Sequence, residues 1–327
     1  AGISRRIGPG WFVGVSAEIR RTDFLPRRYD LNLLPQPVAS DQHGRAVHGS
    51  LIRHGSLVAV EPGTNRRFSD FDAVSAVNAD GRSEYRGVTL SAQGTPAPGV
   101  DLAASYTYSR TLDDWPAGGA FVPDAQLPPL PGADGGPDWR YGTSDFDIPH
   151  RFVATAALRL PLPFEVRIAG AYSYRSGVPF TPGFRPGVDA NGDGSARNDP
   201  AFVDDRIDGI GALLGRWPCL ADQAGTFAER NSCRGPAIHG MDARLSATVV
   251  ANDRYRIALT LDAVNLVESV STELDAALYL VDPDNPLVSN PAAGTVALPL
   301  ATNPDFGEPL ARRTSGRAFR IGFRLDY

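Results

Sequence analysis

The residues with the clearest chemical potential form a short acidic loop. Oxygen-bearing side chains stand at positions 1, 3 and 5 of a calcium-loop pattern, with glycine at position 6; they are Asp189, Asn191, Asp193 and Gly194. Position 12 of that pattern carries a bidentate Glu, and here it is Pro200. The carboxylates that could fold back in its place are Asp199, Asp204 and Asp205. The spacing predicts a weak structural calcium site, and the alternative is an Asx-rich surface turn without an ion.

A second candidate is His150, which has Asp147 and Arg151 beside it. The trio could be read as an acid/base cluster, but neither a nucleophile elbow nor a zinc-binding helix motif accompanies it. There is no phosphate-binding loop and no dinucleotide fingerprint. We therefore expect a structural hydrogen-bonding role for His150, a protein that is not an enzyme, and no cofactor beyond structural calcium. The other histidines, without metal-ligand spacing, are His43, His48, His54 and His239.

The elements that would carry these residues are predicted to be strands with one apolar face. At the end of the chain, apolar side chains alternate strictly with polar ones; they are Phe319, Ile321, Phe323, Leu325 and Tyr327. No stretch shows a convincing helical period over three turns. The pattern predicts an all-β chain with about ten strands, at 10–22, 49–61, 66–78, 82–94, 100–111, 149–160, 164–176, 238–251, 254–267 and 316–327.

The lengths of the connections indicate the architecture. Short turns near 94–99, 161–163 and 251–253 alternate with long connections, which places all the short turns at one end of the strands. A β-sandwich would scatter its loop lengths over both ends, whereas outer-membrane barrels have short turns inside and long loops outside. The tetrapeptide 78–81 is an exception, because it predicts a tight hairpin turn at the long-loop end. We predict an antiparallel up-and-down transmembrane β-barrel with long extracellular loops at 23–48, 112–148, 177–237 and 268–315.

Composition and aromatic placement agree with this fold. The chain has 327 residues, of which 42% are hydrophobic, and it has no apolar run long enough for a transmembrane helix. A net charge of -5, with the charges dispersed, gives no basic face for nucleic acid. Aromatic residues lie at both ends of the predicted strands, as in the two belts of a membrane barrel. They are Trp11, Phe164, Tyr255 and Tyr327 at the short-turn end, and Tyr108, Phe152, Tyr174 and Phe319 at the other.

The polar strand faces are rich in arginine and are predicted to line the lumen. These lumen-facing residues are Arg159, Arg167, Arg175, Arg244, Arg256, Arg320 and Arg324. They could dock a plug or pass a polar substrate, and the alternative is ordinary lining that is solvated or paired across strands.

Two cysteines, Cys219 and Cys233, fall within the loop 177–237. Because an outer-membrane loop passes through an oxidising compartment, a disulfide is the favoured interpretation. The alternative is two free thiols.

Several blocks resemble one known family. The segments GRSEYRG (81–87), ASYTYSRTLDD (104–114) and SDFDIPHRF (144–152) look like successive blocks of TonB-dependent outer-membrane receptors. The closest branch is the Oar-like one, whose members carry an N-terminal carboxypeptidase-regulatory-like domain. Three further segments, DANGDG (189–194), NDP (198–200) and AVNL (263–266), resemble the same family in the same order.

This resemblance implies a protein of the bacterial outer membrane. The family has a plug and a 22-stranded barrel, so the chain (1–327) would be its C-terminal barrel part, without the plug or the N-terminal domain. The expected function is TonB-energised uptake of an unknown ligand, with TonB acting through a plug outside this chain. Other expected partners are outer-membrane lipid and the assembly machinery that reads the last strand, where the family more usually ends in Phe than in a residue such as Tyr327. The alternatives are a structural or adhesive barrel without active transport, and a secreted β-sandwich enzyme.

Overall fold

The computed structural model describes residues 1–8, 10–114, 141–162, 164–196, 198–251, 254–267 and 269–327. In chain order its elements are β1 (Gly2–Ile7), β2 (Trp11–Asp30), β3 (Ala39–Ser40), β4 (Ala46–Val47), β5 (Leu51–His54), β6 (Leu57–Val60), β7 (Ser75–Ala97), β8 (Val100–Asp113), β9 (Gly142–Thr143), β10 (His150–Leu160), β11 (Val166–Arg175), β12 (Pro179–Phe180), β13 (Gly183–Phe184), α1 (Ile210–Arg216), α2 (Pro218–Ala221), β14 (Cys233–Arg234), β15 (Ile238–Ala251), β16 (Arg256–Val264), β17 (Ser269–Leu274), β18 (Ala277–Val281), β19 (Val288–Asn290), a 3-10 turn (Pro291–Ala293), β20 (Thr295–Ala297), β21 (Leu300–Thr302), β22 (Pro309–Ser315) and β23 (Ala318–Asp326).

One large antiparallel sheet, which we call the wall, contains the long strands. Its order is β1-β2-β7-β8-β10-β11-β15-β16-β23, and the short β9 pairs with β8. Neighbours in the wall follow one another along the chain, so the sheet is an up-and-down meander, and the predicted all-β fold is confirmed. In the part of the chain that the structure describes, β1 and β23 are the two edges of this sheet. No helix among the described residues is long and apolar enough to span a membrane.

Most of the wall lies where the alternating pattern predicts it. Six predicted strands coincide with β8, β10, β11, β15, β16 and β23 to within a few residues. Their short connections are the predicted ones, since β7 turns directly into β8, β10 into β11 and β15 into β16. The pattern works here because each strand has one polar and one apolar face along its whole length.

The prediction of wall strands at 49–61 and 66–78 is wrong. The strand β2 continues to Asp30, β7 begins at Ser75, and these two residues pair with each other. The intervening residues 31–74 therefore leave the wall and contain β3 to β6. The hairpin of β5 and β6 does alternate, but its buried side chains Leu51 and Val58 pack in a core outside the wall. Alternation shows that one face of a strand is covered, without showing by what.

The predicted hairpin turn at 78–81 is also wrong, because these residues lie inside β7. They pair with the end of β2 across two register shifts, which accommodate one extra residue in each strand, Phe24 in β2 and Asp80 in β7. A Cβ on Gly81 would lie 2.9 Å from the carbonyl oxygen of Leu25, so the close approach of the two backbones requires glycine here. The loop predicted at 23–48 accordingly begins only after Asp30, and the edge strand β1 was not predicted.

The described residues of 31–74, 177–237 and 269–315 fold together into a unit that we call the cap. One of its hydrophobic cores joins residues of 201–233 to Leu278, Tyr279 and Phe306. A second core joins residues of 39–58 to Val188 and Ala190, and to residues of 281–298. Three connections that are distant in sequence thus share buried side chains. The predicted loop 112–148 lies largely outside the described residues.

Candidate functional site

The polar face of the wall carries all seven predicted lumen arginines. Strand pairing places Arg159 directly opposite Arg167, and it aligns Arg244, Asp262 and Arg320 in one row across three strands. Arg244 forms two hydrogen bonds to the Asp262 carboxylate, one of them 3.0 Å long. The other members of this face, by strand alternation, are Arg175, Arg256 and Arg324.

This polar face encloses a cavity of about 790 Å³. Its lining includes Asp101, Arg167, Arg244, Asp262 and Arg320, together with small side chains of β8, β10 and β11. Arg256 is 3.6 Å from Glu165 at the short-turn end of the same face. Ion pairs between strands therefore account for part of the arginine content of this face.

The opposite face of the wall is apolar and exposed. The last strand shows this best, since Ile321 is 84% and Phe323 is 78% exposed. Phe319 and Leu325 are exposed on the same strand, and Tyr327 is exposed directly after it. An apolar band facing outward, with polar side chains on the other side, is the arrangement of a barrel wall in lipid.

Rings form a belt on this outward face near the cap. The hydroxyl of Tyr106 lies 2.7 Å from Nδ1 of His150, and the hydroxyl of Tyr172 lies 2.8 Å from Nδ1 of His239. Phe152 packs beside Tyr172 at 6.2 Å between ring centres. His150 thus has a hydrogen-bonding place in the belt, as expected from the sequence. Asp147 points elsewhere, accepting hydrogen bonds from the backbone N–H of Thr111 and from Arg234.

Two arginines of the loop 177–237 attach the cap to the end of the wall. Arg230 donates to the carboxylates of Asp113, at 2.6 Å, and of Asp145, at 3.1 Å. Arg234 donates to Asp147 at 2.7 Å. Sequence reasoning missed these contacts, although all three aspartates lie in the blocks 104–114 and 144–152.

The two cysteines of the same loop are joined in a disulfide, with 5.3 Å between the Cα atoms of Cys219 and Cys233. Cys233 is fully buried in the first cap core and lies directly beside Arg234. The disulfide therefore fixes α2 to the segment that carries both arginines.

Comparison with known families identifies the architecture. The model of a family described as "Outer membrane beta barrel domain" matches residues 2–297. The chain belongs to this family. The barrel domain accordingly resides in the bacterial outer membrane, with the apolar face of its wall in lipid.

Comparison with solved structures gives a similar protein. The outer membrane transporter YddB from Escherichia coli resembles the chain with a TM-score of 0.45 and 12% identity, over 99% of this chain and 31% of that one. The chain therefore spans about a third of the length of that transporter. No curated protein matches the chain.

In the cap of the barrel domain, the predicted calcium loop is closed on itself by hydrogen bonds. The carboxylate of Asp189 accepts from the backbone N–H groups of Gly192, at 2.7 Å, and Gly194, at 2.9 Å. Both glycines have a positive φ, which turns their N–H groups toward that carboxylate. Asn191 accepts from the backbone of Asp193 at 2.9 Å.

Of the carboxylates that could complete the loop, Asp199 folds back onto it and Asp204 does not. Asp199 accepts from the backbone of Ala190 at 2.9 Å, whereas Asp204 binds His43 and Arg206. In the described part of the chain, no group of three or more His, Cys, Asp or Glu residues has an arrangement that could hold a metal ion. Calcium binding at Asp189, Asn191 and Asp193 stays a prediction.

Burial strongly perturbs the carboxyls of this loop. Loss of water, together with the negative charges of neighbouring carboxylates, raises the pKa of Asp189, Asp193 and Asp199 to about 7. Arg45 opposes the effect at Asp199, from which it is 3.3 Å away. Each aspartate is therefore easier to bury as the neutral acid than as the anion.

We expect Asp193→Asn to stabilise the cap at pH 8 and to have no effect at pH 4. In the unfolded chain this carboxyl loses its proton near pH 4, whereas in the folded cap it holds the proton until about pH 7. The contribution of Asp193 to the stability of the cap is therefore fully present below pH 4, falls as the pH rises to about 7, and stays low above that pH. Asparagine cannot ionise, so it removes this loss of stability. The buried Oδ1 of Asn198, which lacks a partner, can accept a hydrogen bond from the new amide after the Asn198 amide flips. The measurement is the thermal midpoint of both proteins at each pH. At pH 8 the midpoint of the variant should be higher, by an amount that corresponds to a difference on the order of 1 kcal/mol in the free energy of unfolding.

The matched control is Asp222→Asn, because this exposed aspartate undergoes the same change of charge. Destabilisation by Asp193→Asn at pH 8 would contradict the expectation. A rise of the midpoint with millimolar calcium at pH 8, absent in the variant, would support the calcium prediction, and no shift would remove it.

Proposed function

We propose that the barrel domain belongs to a receptor that captures a ligand at the cell surface and takes it up with energy delivered by TonB. The observation that carries the proposal is the cap: three long connections share two hydrophobic cores and form one preorganised surface at the outer end of the wall. Preorganised surfaces bind with a smaller entropic cost than loops that become ordered on binding.

The polar face of the wall supports passage of a polar molecule or docking of a plug. Its cavity contains arginine and aspartate side chains from several strands. In this proposal a plug outside the chain and the remaining strands of a 22-stranded barrel complete the pore, as in the Oar-like receptors. The domain binds and admits its ligand without making or breaking a bond, so no catalytic residue is needed. The assembly machinery would read Phe319 to Tyr327.

The test is a comparison of the compounds that growing cells remove from their medium. We expect deletion of the gene and deletion of tonB to leave the same compound behind, and an uncoupler of the inner membrane to do so as well. Removal of that compound by cells without TonB would contradict energised uptake.

The alternative role is a structural or adhesive barrel. Exposed rings on the cap, at Phe68 and Phe71, favour contact with another surface. Cells without the gene would then consume the same compounds as the parent and lose attachment.

A further inference from the structure

Two arginines face each other on the outward surface of the wall, close to the cap. Arg86 of β7 pairs in register with Arg110 of β8. Both alternate with the lipid-facing side chains of their strands, and the pairing shows no register shift from Ser83 to Gly94. Both side chains are exposed. The pair therefore lies on the lipid side of the wall and not in the lumen.

The charges around this pair leave an excess of positive charge. Arg86 forms an ion pair with Glu84. In the next row, farther from the middle of the membrane, Arg21 forms an ion pair with Asp23. Among the described residues, Arg110 forms no ion pair with a carboxylate. Like charges directly opposite each other across two strands are destabilising, so the arrangement calls for an anion.

On the outward face, the next row toward the middle of the membrane contains rings with polar atoms at their tips. Tyr108 and His150 form the row that follows, and His150 is hydrogen-bonded to Tyr106. Rings with polar tips settle at the level of the lipid headgroups. Arg86 and Arg110 lie one row farther from the middle of the membrane than these rings, within reach of the headgroup phosphates.

An apolar groove continues from the rings toward the middle of the membrane. It has a volume of about 560 Å³. The paired small side chains of Ala92 and Ala104 form its floor between Leu90, Tyr106 and Phe152, and Arg5 of the edge strand β1 also lines it. From Leu90 to Arg86 is four residues along one strand, roughly 13 Å at ~3.3 Å per residue. The groove and the arginine pair are thus in line on the same face.

We propose that this outward face binds one phosphorylated lipid of the outer leaflet, with its phosphate on Arg86 and Arg110 and an acyl chain in the groove. Guanidinium groups bind phosphate with two parallel, charge-assisted hydrogen bonds. A bound phosphate removes the repulsion between the arginines, and the acyl chain covers a trough that larger side chains would have filled. The inference requires only the location in the outer membrane and does not depend on uptake.

The test measures binding of bis-phosphorylated lipid A to the full chain in neutral detergent by native mass spectrometry. Wild-type protein should retain this lipid and should bind the same lipid without phosphate about tenfold more weakly. The double variant Arg86→Gln with Arg110→Gln should show a similar loss. The matched control is Arg20→Gln. It removes an arginine at nearly the same height on the polar face, where Arg20 pairs in register with Tyr85, and it should not change binding.

The groove is tested separately by Ala104→Phe, which should weaken lipid binding and leave competition by inorganic phosphate unchanged. All variants are first checked for heat-modifiable migration in detergent gels. Equal binding of lipid A with and without phosphate by the wild type would overturn the proposal, whatever the variants do. Displacement of lipid A by an equal concentration of inorganic phosphate would overturn the role of the groove.

Discussion

Replacing Arg230 by Gln is expected to reduce the free energy that holds the cap on the wall by about 3–5 kcal/mol. The guanidinium is nearly buried and donates to the carboxylates of Asp113 and Asp145 and to the carbonyl oxygen of Asp113. Removing it leaves the Asp113 carboxylate buried without its cation, which costs more than the ion pair itself contributes. The effect should fall on the attachment of 177–237, while the strands of the wall keep their own pairing.

Limited proteolysis under native conditions measures this opening, because cleavage follows the population of the open form when reclosing is fast. We expect rapid cleavage within 177–237 and an unchanged heat-modifiable wall. The matched control is Arg216→Gln: this arginine pairs with Glu308 at 2.7 Å, but both side chains are exposed, so its loss should cost less than about 1 kcal/mol. Equal resistance of the Arg230 variant and the wild type would show that the cap is held by other contacts.

The contacts of Arg230 with Asp113 and Asp145 could not be predicted from the sequence. Asp113 and Asp145 lie in recognisable blocks, but their partner Arg230 lies 117 and 85 residues further along the chain. No local periodicity couples such distant positions. The available signal was the clustering of Arg230 and Arg234 around Cys233, which marks a segment held in place by a disulfide.

The wall was predictable because its cause is local. From β8 to β23, each strand of the wall alternates between apolar and polar residues over its full length. The lengths of the connections distinguish the short-turn end of these strands from the long-loop end. The N-terminal part of the prediction failed for a physical reason. The strands β2 and β7 continue their pairing beyond the apolar band, as far as the pair of Asp30 and Ser75, and there Asp30 is buried against Arg66 of the cap and does not face lipid. Backbone pairing persists there, but the alternation that reports it has ended.

The cap changes how the long connections should be understood. Sequence reasoning treats them as separate loops, whereas buried residues from three of them pack into common cores. Because their buried side chains contact one another, the three connections stabilise one another. Recognition at the cell surface would then depend on the relative placement of the three segments, and a change in one should be felt by the others.

Phe306→Ala is expected to destabilise the cap by about 3–5 kcal/mol, the usual cost of emptying a buried aromatic site. Phe306 is fully buried. It belongs to the connection 269–315, but its ring centre lies 5.4 Å from Trp217 and 5.8 Å from Phe180, both of the connection 177–237. The variant thus removes the contact between two connections without touching the wall.

The measurement that matters is where protease first cuts. If the cap is one cooperative unit, Phe306→Ala accelerates cleavage in 177–237 and in 269–315 by the same factor, because both open together. The matched control is Phe71→Ala, an exposed ring of the same cap, which should change the rates by less than a factor of about 2. Acceleration confined to 269–315 would show that the connections open one at a time. In that case a ligand would meet independent loops, and the preorganised surface on which the proposed capture rests would be lost.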